Sequence, residues 1–292
     1  MTIRLKHERG NLDTIELGHV NHHFALPHLK RFLKSKGSRQ CKSIKKISVD
    51  HSTLDNGDYR ALHDILKLSS KINEISFCAN HIDTPDITYI FDSLPNKELN
   101  TIKFVDNWIG EKISSDFFTF LKNKKLLVLD FSLNWLRDTG VQFLLDAIRD
   151  NTELNELVLS CNDFGIDGMK AVQDFVLNHP SLKVLDISYN NLNEECVKEI
   201  SPMIIESQSL THLNLRSNKI GNDGAKLIAQ ALKYNSHLKY VDLSDNEIKE
   251  DGVSQLLRVA EAHDKLEGLI LKHNQLLPSI LKTKRPNLQV LY

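Results

Sequence analysis

Cys78, His51 and Asp50 are the residue types that come nearest to covalent chemistry. A thiol, an imidazole base and an orienting carboxylate together could perform nucleophilic catalysis. His51 follows Asp50 directly, and Cys78 comes 27 residues later. No recognisable motif binds the three, and such groupings arise readily by chance, so no catalytic residue is assigned. His19, His22 and His23 are metal-ligand types, but no carboxylate or cysteine joins them at a ligand spacing. They read as a solvated surface. The four cysteines, Cys41, Cys78, Cys161 and Cys196, show neither CxxC nor paired spacing, which argues against a zinc site and a disulfide frame. Neither metal nor cofactor is expected. What remains is recognition chemistry, and there the two tryptophans of the chain, Trp108 and Trp135, stand 27 residues apart.

That interval is the period of the chain. An eleven-residue phrase, LKVLDISYNNL from Leu182 to Leu192, has apolar residues at its first, fourth, sixth and eleventh places and Asn190 at its ninth. It starts at Ile44, Ile72, Leu99, Leu126, Leu154, Leu182, Leu210, Leu238 and Leu266. The ninth places are Ser52, Asn80, Asn107, Asn134, Asn162, Asn190, Asn218, Asn246 and Asn274, separated by 28, 27, 27 and then 28 residues five times over. A fixed period of this length is the signature of a solenoid. Alternation around the fourth and sixth places predicts a short strand. After the ninth place a glycine recurs, as in Gly140, Gly168, Gly224 and Gly252, preceded by Thr139, Asp167, Asp223 and Asp251. Those residues are expected to cap helices, with the glycine allowing close approach to the neighbouring turn. An apolar stripe such as Leu227, Ile228, Ala231 and Leu232 then predicts the helix itself.

A strand and a helix per repeat predict an α/β solenoid, a horseshoe with a concave parallel β-sheet and convex helices. The asparagines are expected to satisfy backbone groups in the buried turns of adjacent repeats. Ser52 can satisfy fewer, so the first full repeat should be looser. Residues 1–43 read as an N-terminal cap, 44–287 as nine repeats and 288–292 as a capping strand, all one continuous domain. Within the cap, Leu12, Ile15 and Leu17 fit the opening of the phrase, and ALPHLKRFLK offers a helix with Pro27 in its first turn. Pro278 and Pro286 interrupt the last connection.

LxxLxLxxNxL on a 28-residue helical unit, with NKIGNDGAKLIAQAL at Asn218–Leu232, resembles the ribonuclease-inhibitor-like class of leucine-rich repeats. That class includes enzyme inhibitors, innate-immune sensors and activators of the Ran GTPase. In general style the repeats also look like the leucine-rich-repeat effectors of intracellular bacteria such as Legionella. The resemblance implies a cytoplasmic protein or, for an effector, one delivered into the host-cell cytosol. The chain has no apolar run of membrane-spanning length and no secretory start, and it is expected to be a monomer when free.

Function must then come from the places the phrase leaves variable. The third, fifth, seventh and eighth places hold eight acids (Asp50, Glu74, Asp106, Asp130, Glu156, Asp186, Asp242, Asp245) against four bases (Lys46, Lys103, Arg216, Lys272). The strand face thus carries about -4, eight less four, in a chain of net charge -1. That excludes nucleic acid and favours one protein partner, an enzyme or another effector, with a basic or donor-rich surface. Fifth-place aspartates also have a purely structural reading. The tenth place is polar along most of the chain, which marks it as exposed, yet it holds Trp108 and Trp135 in consecutive repeats. Exposed indoles side by side predict a binding hot spot. With His81, Val105, Asp106, Asp130 and Leu133 they form the first expected epitope. Tyr189, Arg216, Tyr240 and Asp245 form a second, with Glu156, Asp186, His212 and Asp242 on the same columns. The alternative expectation is a GTPase-activating protein of the Ran-activator type using Arg216.

Overall fold

The structure, a computed structural model, describes residues 2–8, 11–19, 41–80, 89–90, 99–110, 115–122, 124–275 and 287–291. It divides into two compact units, Met1–Trp135 and Leu136–Tyr292. The helix expected around Pro27, together with His22, His23, Pro278 and Pro286, lies outside the described residues.

In the first unit, β1 (Thr2–Glu8) and β2 (Asn11–Gly18) form an antiparallel hairpin. From β2 onward the pairing is parallel, through β3 (Lys46–Asp50), β4 (Glu74–Cys78), β5 (Thr101–Val105) and β6 (Val128–Asp130). Fourth-place residues Ile47, Ile75, Ile102 and Leu129 sit side by side in register and are buried. The sixth place becomes a stack of phenylalanines, Phe77, Phe104 and Phe131, with centroids 5.3 and 5.6 Å apart. Helix α1 (Asn56–Leu68) starts on a reciprocal capping box between Asp55 and Asp58. The corresponding segment near the end of the unit, Ser115–Leu121, is a 3-10 helix instead. Its aromatic and β-branched sequence, DFFTF, loses side-chain freedom in an α-helix, and Phe118 packs edge-on against Phe131.

The second unit alternates α2 (Arg137–Ala147), β7 (Glu156–Val158), α3 (Ile166–Asn178), β8 (Val184–Asp186), α4 (Glu194–Glu206), β9 (His212–Asn214), α5 (Gly221–Leu232), β10 (Tyr240–Asp242), α6 (Glu250–Ala262) and β11 (Gly268–Ile270). It closes with β12 (Gln289–Leu291), and its strands pair in parallel in sequence order. Each unit has the strand-and-helix build of a leucine-rich-repeat α/β solenoid.

The asparagine column works as a ladder. The Asn190 N–H donates to Oδ1 of Asn218 at 3.1 Å, and Nδ2 of Asn218 donates to the Leu215 and Ile187 carbonyls at 3.0 and 3.2 Å. Asn80, Asn107 and Asn134 do the same in the first unit. The Ser52 N–H donates to Asn80 Oδ1 at 3.0 Å, and its hydroxyl donates to the Asp50 carbonyl at 2.9 Å.

A second polar column runs where helices give way to strands: Asn151, His179, Ser207, Asn235 and His263, each 28 residues apart and all buried. Each side chain accepts from a backbone N–H two or three residues later, as Leu210 donates to Ser207 Oγ at 3.2 Å and Leu266 to His263 Nδ1 at 2.9 Å. Helix capping departs from the expectation. Asp138, one repeat back, accepts from the Gly165 and Gly168 N–H groups at 2.8 and 2.7 Å, and Asn222 accepts from Gly252 at 2.7 Å. Asp167 and Asp223 lie inside the first turn, past the cap position, and pair with Lys170 and Lys226. The glycine is required because a Cβ on Gly168 would stand 2.8 Å from the capping Asp138 oxygen.

Candidate protein-binding surfaces

Burial alternates along most of the strands, so most third- and fifth-place side chains are half-exposed and fourth-place ones buried; Ser48 is buried and Tyr240 exposed. The eighth place has a property that the sequence did not disclose. His51, Ala79, Asp106, Leu133, Cys161, Tyr189, Ser217, Asp245 and His273 all have left-handed backbone, with φ between 48° and 60°. Such a conformation costs a non-glycine residue about 1–2 kcal/mol. It is held by a hydrogen bond to the next repeat, as when the Asp106 N–H donates to the Ser132 carbonyl at 3.0 Å. The left-handed residue ends the extended strand before the tenth place.

In the first unit that tenth place carries the indoles. Trp108 and Trp135 are themselves left-handed, at φ 57° and 56°. Their ring centroids lie 6.4 Å apart at an interplanar angle of 43°. Trp108 is 63% exposed and Trp135 48%, with Leu133 beside them at 43%. The Trp135 backbone is seated against Gly110, where an added Cβ would meet the Trp135 carbonyl oxygen at 2.2 Å. The pair therefore leaves well over half of Trp108 and nearly half of Trp135 to solvent. Val105 is half-buried at the end of β5. Asp130 is partly committed: its Oδ1 accepts from the Ser132 N–H and hydroxyl at 2.9 and 2.6 Å. His81 lies outside the described residues.

Cys78 belongs to the same surface. Burial pushes its thiol pKa up, and the carboxylates of Asp50, Asp106 and Asp130 push it further in the same direction. An activated thiolate needs the opposite field. The His51 ring stacks on His19 at 5.0 Å.

The second unit presents two separate lines. In one, the Arg216 guanidinium lies 5.7 Å over the Tyr189 ring, and its Nε donates to Asp245 Oδ2 at 3.0 Å. In the other, His212 stacks on Tyr240 at 4.7 Å, and the Tyr240 hydroxyl donates to Glu267 at 2.9 Å. Burial, followed by the charge of Lys239, lowers the His212 pKa. Tyr240 lies flat because Gly268 has no side chain; a Cβ there would be 2.5 Å from the ring. The columns gave no sign of Glu267, which stands at a second place. Asp186 and Asp242 hold the backbone of Ser188 and Ser244 through Oδ1, at 2.9 and 2.8 Å. These fifth-place carboxylates are thus structural first. Glu156 is half-buried at the start of β7 and joins neither line. Seventh-place Ser132, Ser188 and Ser244 are buried, not outward-facing as their strand parity predicts, because the chain has already turned toward the aspartates.

The period, the parallel strands and the asparagine ladder agree with the comparisons. A Leucine Rich repeat family matches residues 122–145, 150–172, 206–229 and 234–257, and a second Leucine Rich Repeat family matches 181–203. The chain carries leucine-rich repeats. Repeats of this kind generally mediate protein–protein interaction. Among solved structures, a Bacteroides fragilis protein is similar at 17% identity and a TM-score of 0.53, covering 89% of this chain and 72% of its own. The actin-binding site 2 of leiomodin-1 is similar at 16% identity and a TM-score of 0.36, covering 43% of this chain and 75% of its own. No curated protein matches. No described helix is long and apolar enough to cross a membrane.

Proposed function

We propose that the protein is a non-catalytic binding module that grips one protein partner through the acidic strand face and the indole rim beside it. The observation that carries this reading is the exposed Trp108–Trp135 pair, since large apolar rings left in water are concentrated at binding hot spots. The finer form, motivated by the ribonuclease-inhibitor-like phrase, is an effector or inhibitor that occludes an enzyme. Tyr189, Arg216, His212 and Tyr240 offer a further contact surface, held ready by the stacking and ion pairing described above.

A GTPase activator using Arg216 is less well supported, because that guanidinium is engaged by Asp245 and Tyr189. The test compares proteins captured from native cells by the wild type with those captured by a Trp108→Ala/Trp135→Ala variant. A partner retained only by the wild type is expected. Identical captured sets would sink the proposal, and GTP hydrolysis stimulated by the wild type but not by Arg216→Ala would replace it.

A further inference from the structure

The surroundings of the indole pair define the chemistry of what it would hold. Indole faces carry the negative end of the ring quadrupole and attract cations more strongly than phenyl faces. Asp106 leaves the chain two residues before Trp108, on the same left-handed turn. Asp50 is paired in register with Cys78, and the Asp106 N–H donates to the carbonyl of Ser132, whose hydroxyl donates to Asp130, so the carboxylates stand on neighbouring strands and turns of one patch. The charge there is only partly cancelled. Lys46 is taken up by Glu74 at 2.7 Å, which leaves Lys103, in register with Asp130, as the nearby base of the strand face.

We propose that this patch of the first unit is a seat for an arginine side chain of the protein partner, its guanidinium lying against Trp108 and Trp135 and its N–H groups turned toward Asp106 and Asp130. The inference rests on the protein-binding reading and names the residue that the partner contributes. A guanidinium suits the seat better than an ammonium because it is planar, weakly hydrated and able to stack and hydrogen-bond at once. The rings are tilted by 43° with centroids 6.4 Å apart, so the guanidinium would lie across their exposed faces and not between them.

Trp108 and Trp135 are the only tryptophans in the chain, so intrinsic fluorescence reads the seat directly. The full chain would be titrated with tri-arginine, tri-lysine and tri-citrulline peptides at low and high salt. Tri-arginine is expected to produce a saturable emission change, about ten-fold tighter than tri-citrulline, tighter than tri-lysine and weakened by salt. Asp106→Asn, which tolerates left-handed backbone, should weaken it several-fold without unfolding the chain. The bound peptide should also lower the pH at which Cys78 is alkylated. Equal responses to tri-arginine and to either other peptide, or no effect of Asp106→Asn, would overturn the inference. Should that happen while the double-alanine variant still loses its partner, only the arginine seat fails; should the variant keep its partner, the binding reading falls too.

Discussion

Single side chains do two kinds of work in this fold, and only one of them was legible. The asparagine ladder could be read because its job demands an amide, with donor and acceptor together, so one letter recurs. The column of Asn151, His179, Ser207, Asn235 and His263 could not, since accepting a backbone N–H is within reach of three residue types. Asn218→Ala should lower stability by about 3 kcal/mol or more, because it orphans the Asn190 and Leu192 N–H groups and removes the donor to the Ile187 carbonyl. Urea unfolding measures this, and a loss under 1 kcal/mol would refute the ladder's role. His179 gives a pH dependence. Burial lowers its pKa, against the opposing hydrogen bond to the Asn151 carbonyl, and its Nδ1 accepts from the Ser181 N–H. Below the unfolded pKa of about 6.5 the unfolded chain therefore binds the proton more readily. Stability should be full above that pH and decline as pH falls through it, and His179→Gln should flatten the decline.

Among the elements, strands and most helices followed from the period, whereas their joints did not. The left-handed eighth place carries no glycine, so composition gave no hint of it; it exists because the next repeat supplies the hydrogen bond. Helix capping from the preceding repeat was equally hidden, since Asp138 and the helix it caps are about one repeat apart in sequence. Asp138→Ala should cost about 1–2 kcal/mol by leaving the Gly165 and Gly168 N–H groups without their acceptor. Asp167→Ala, at the position the sequence nominated, should cost under about 0.5 kcal/mol. Thermal unfolding of the two variants separates the accounts, and the reverse order would refute capping from the preceding repeat. Gly110→Ala places a Cβ where the Trp135 carbonyl stands, so it should destabilise the first unit by about 1–3 kcal/mol and shift tryptophan emission.

For the molecule as a whole, the repeat gave the architecture and left the function to the residues it does not fix. The indole pair was found because two identical rare residues break a polar column, and their exposure follows from the left-handed turns. The charge count was less informative, since Asp130, Asp186 and Asp242 turn out to hold their own backbone. Separating scaffold from surface in this way makes the central claim sharp: the indoles serve binding more than folding. The decisive measurement is calorimetric titration of the captured partner against wild type and Trp108→Ala/Trp135→Ala, beside the thermal unfolding of both. The account predicts an affinity loss of more than about ten-fold in a variant that still folds, with unfolding lowered by about 1–3 kcal/mol at most. Unchanged affinity, or a variant that fails to fold, would contradict it.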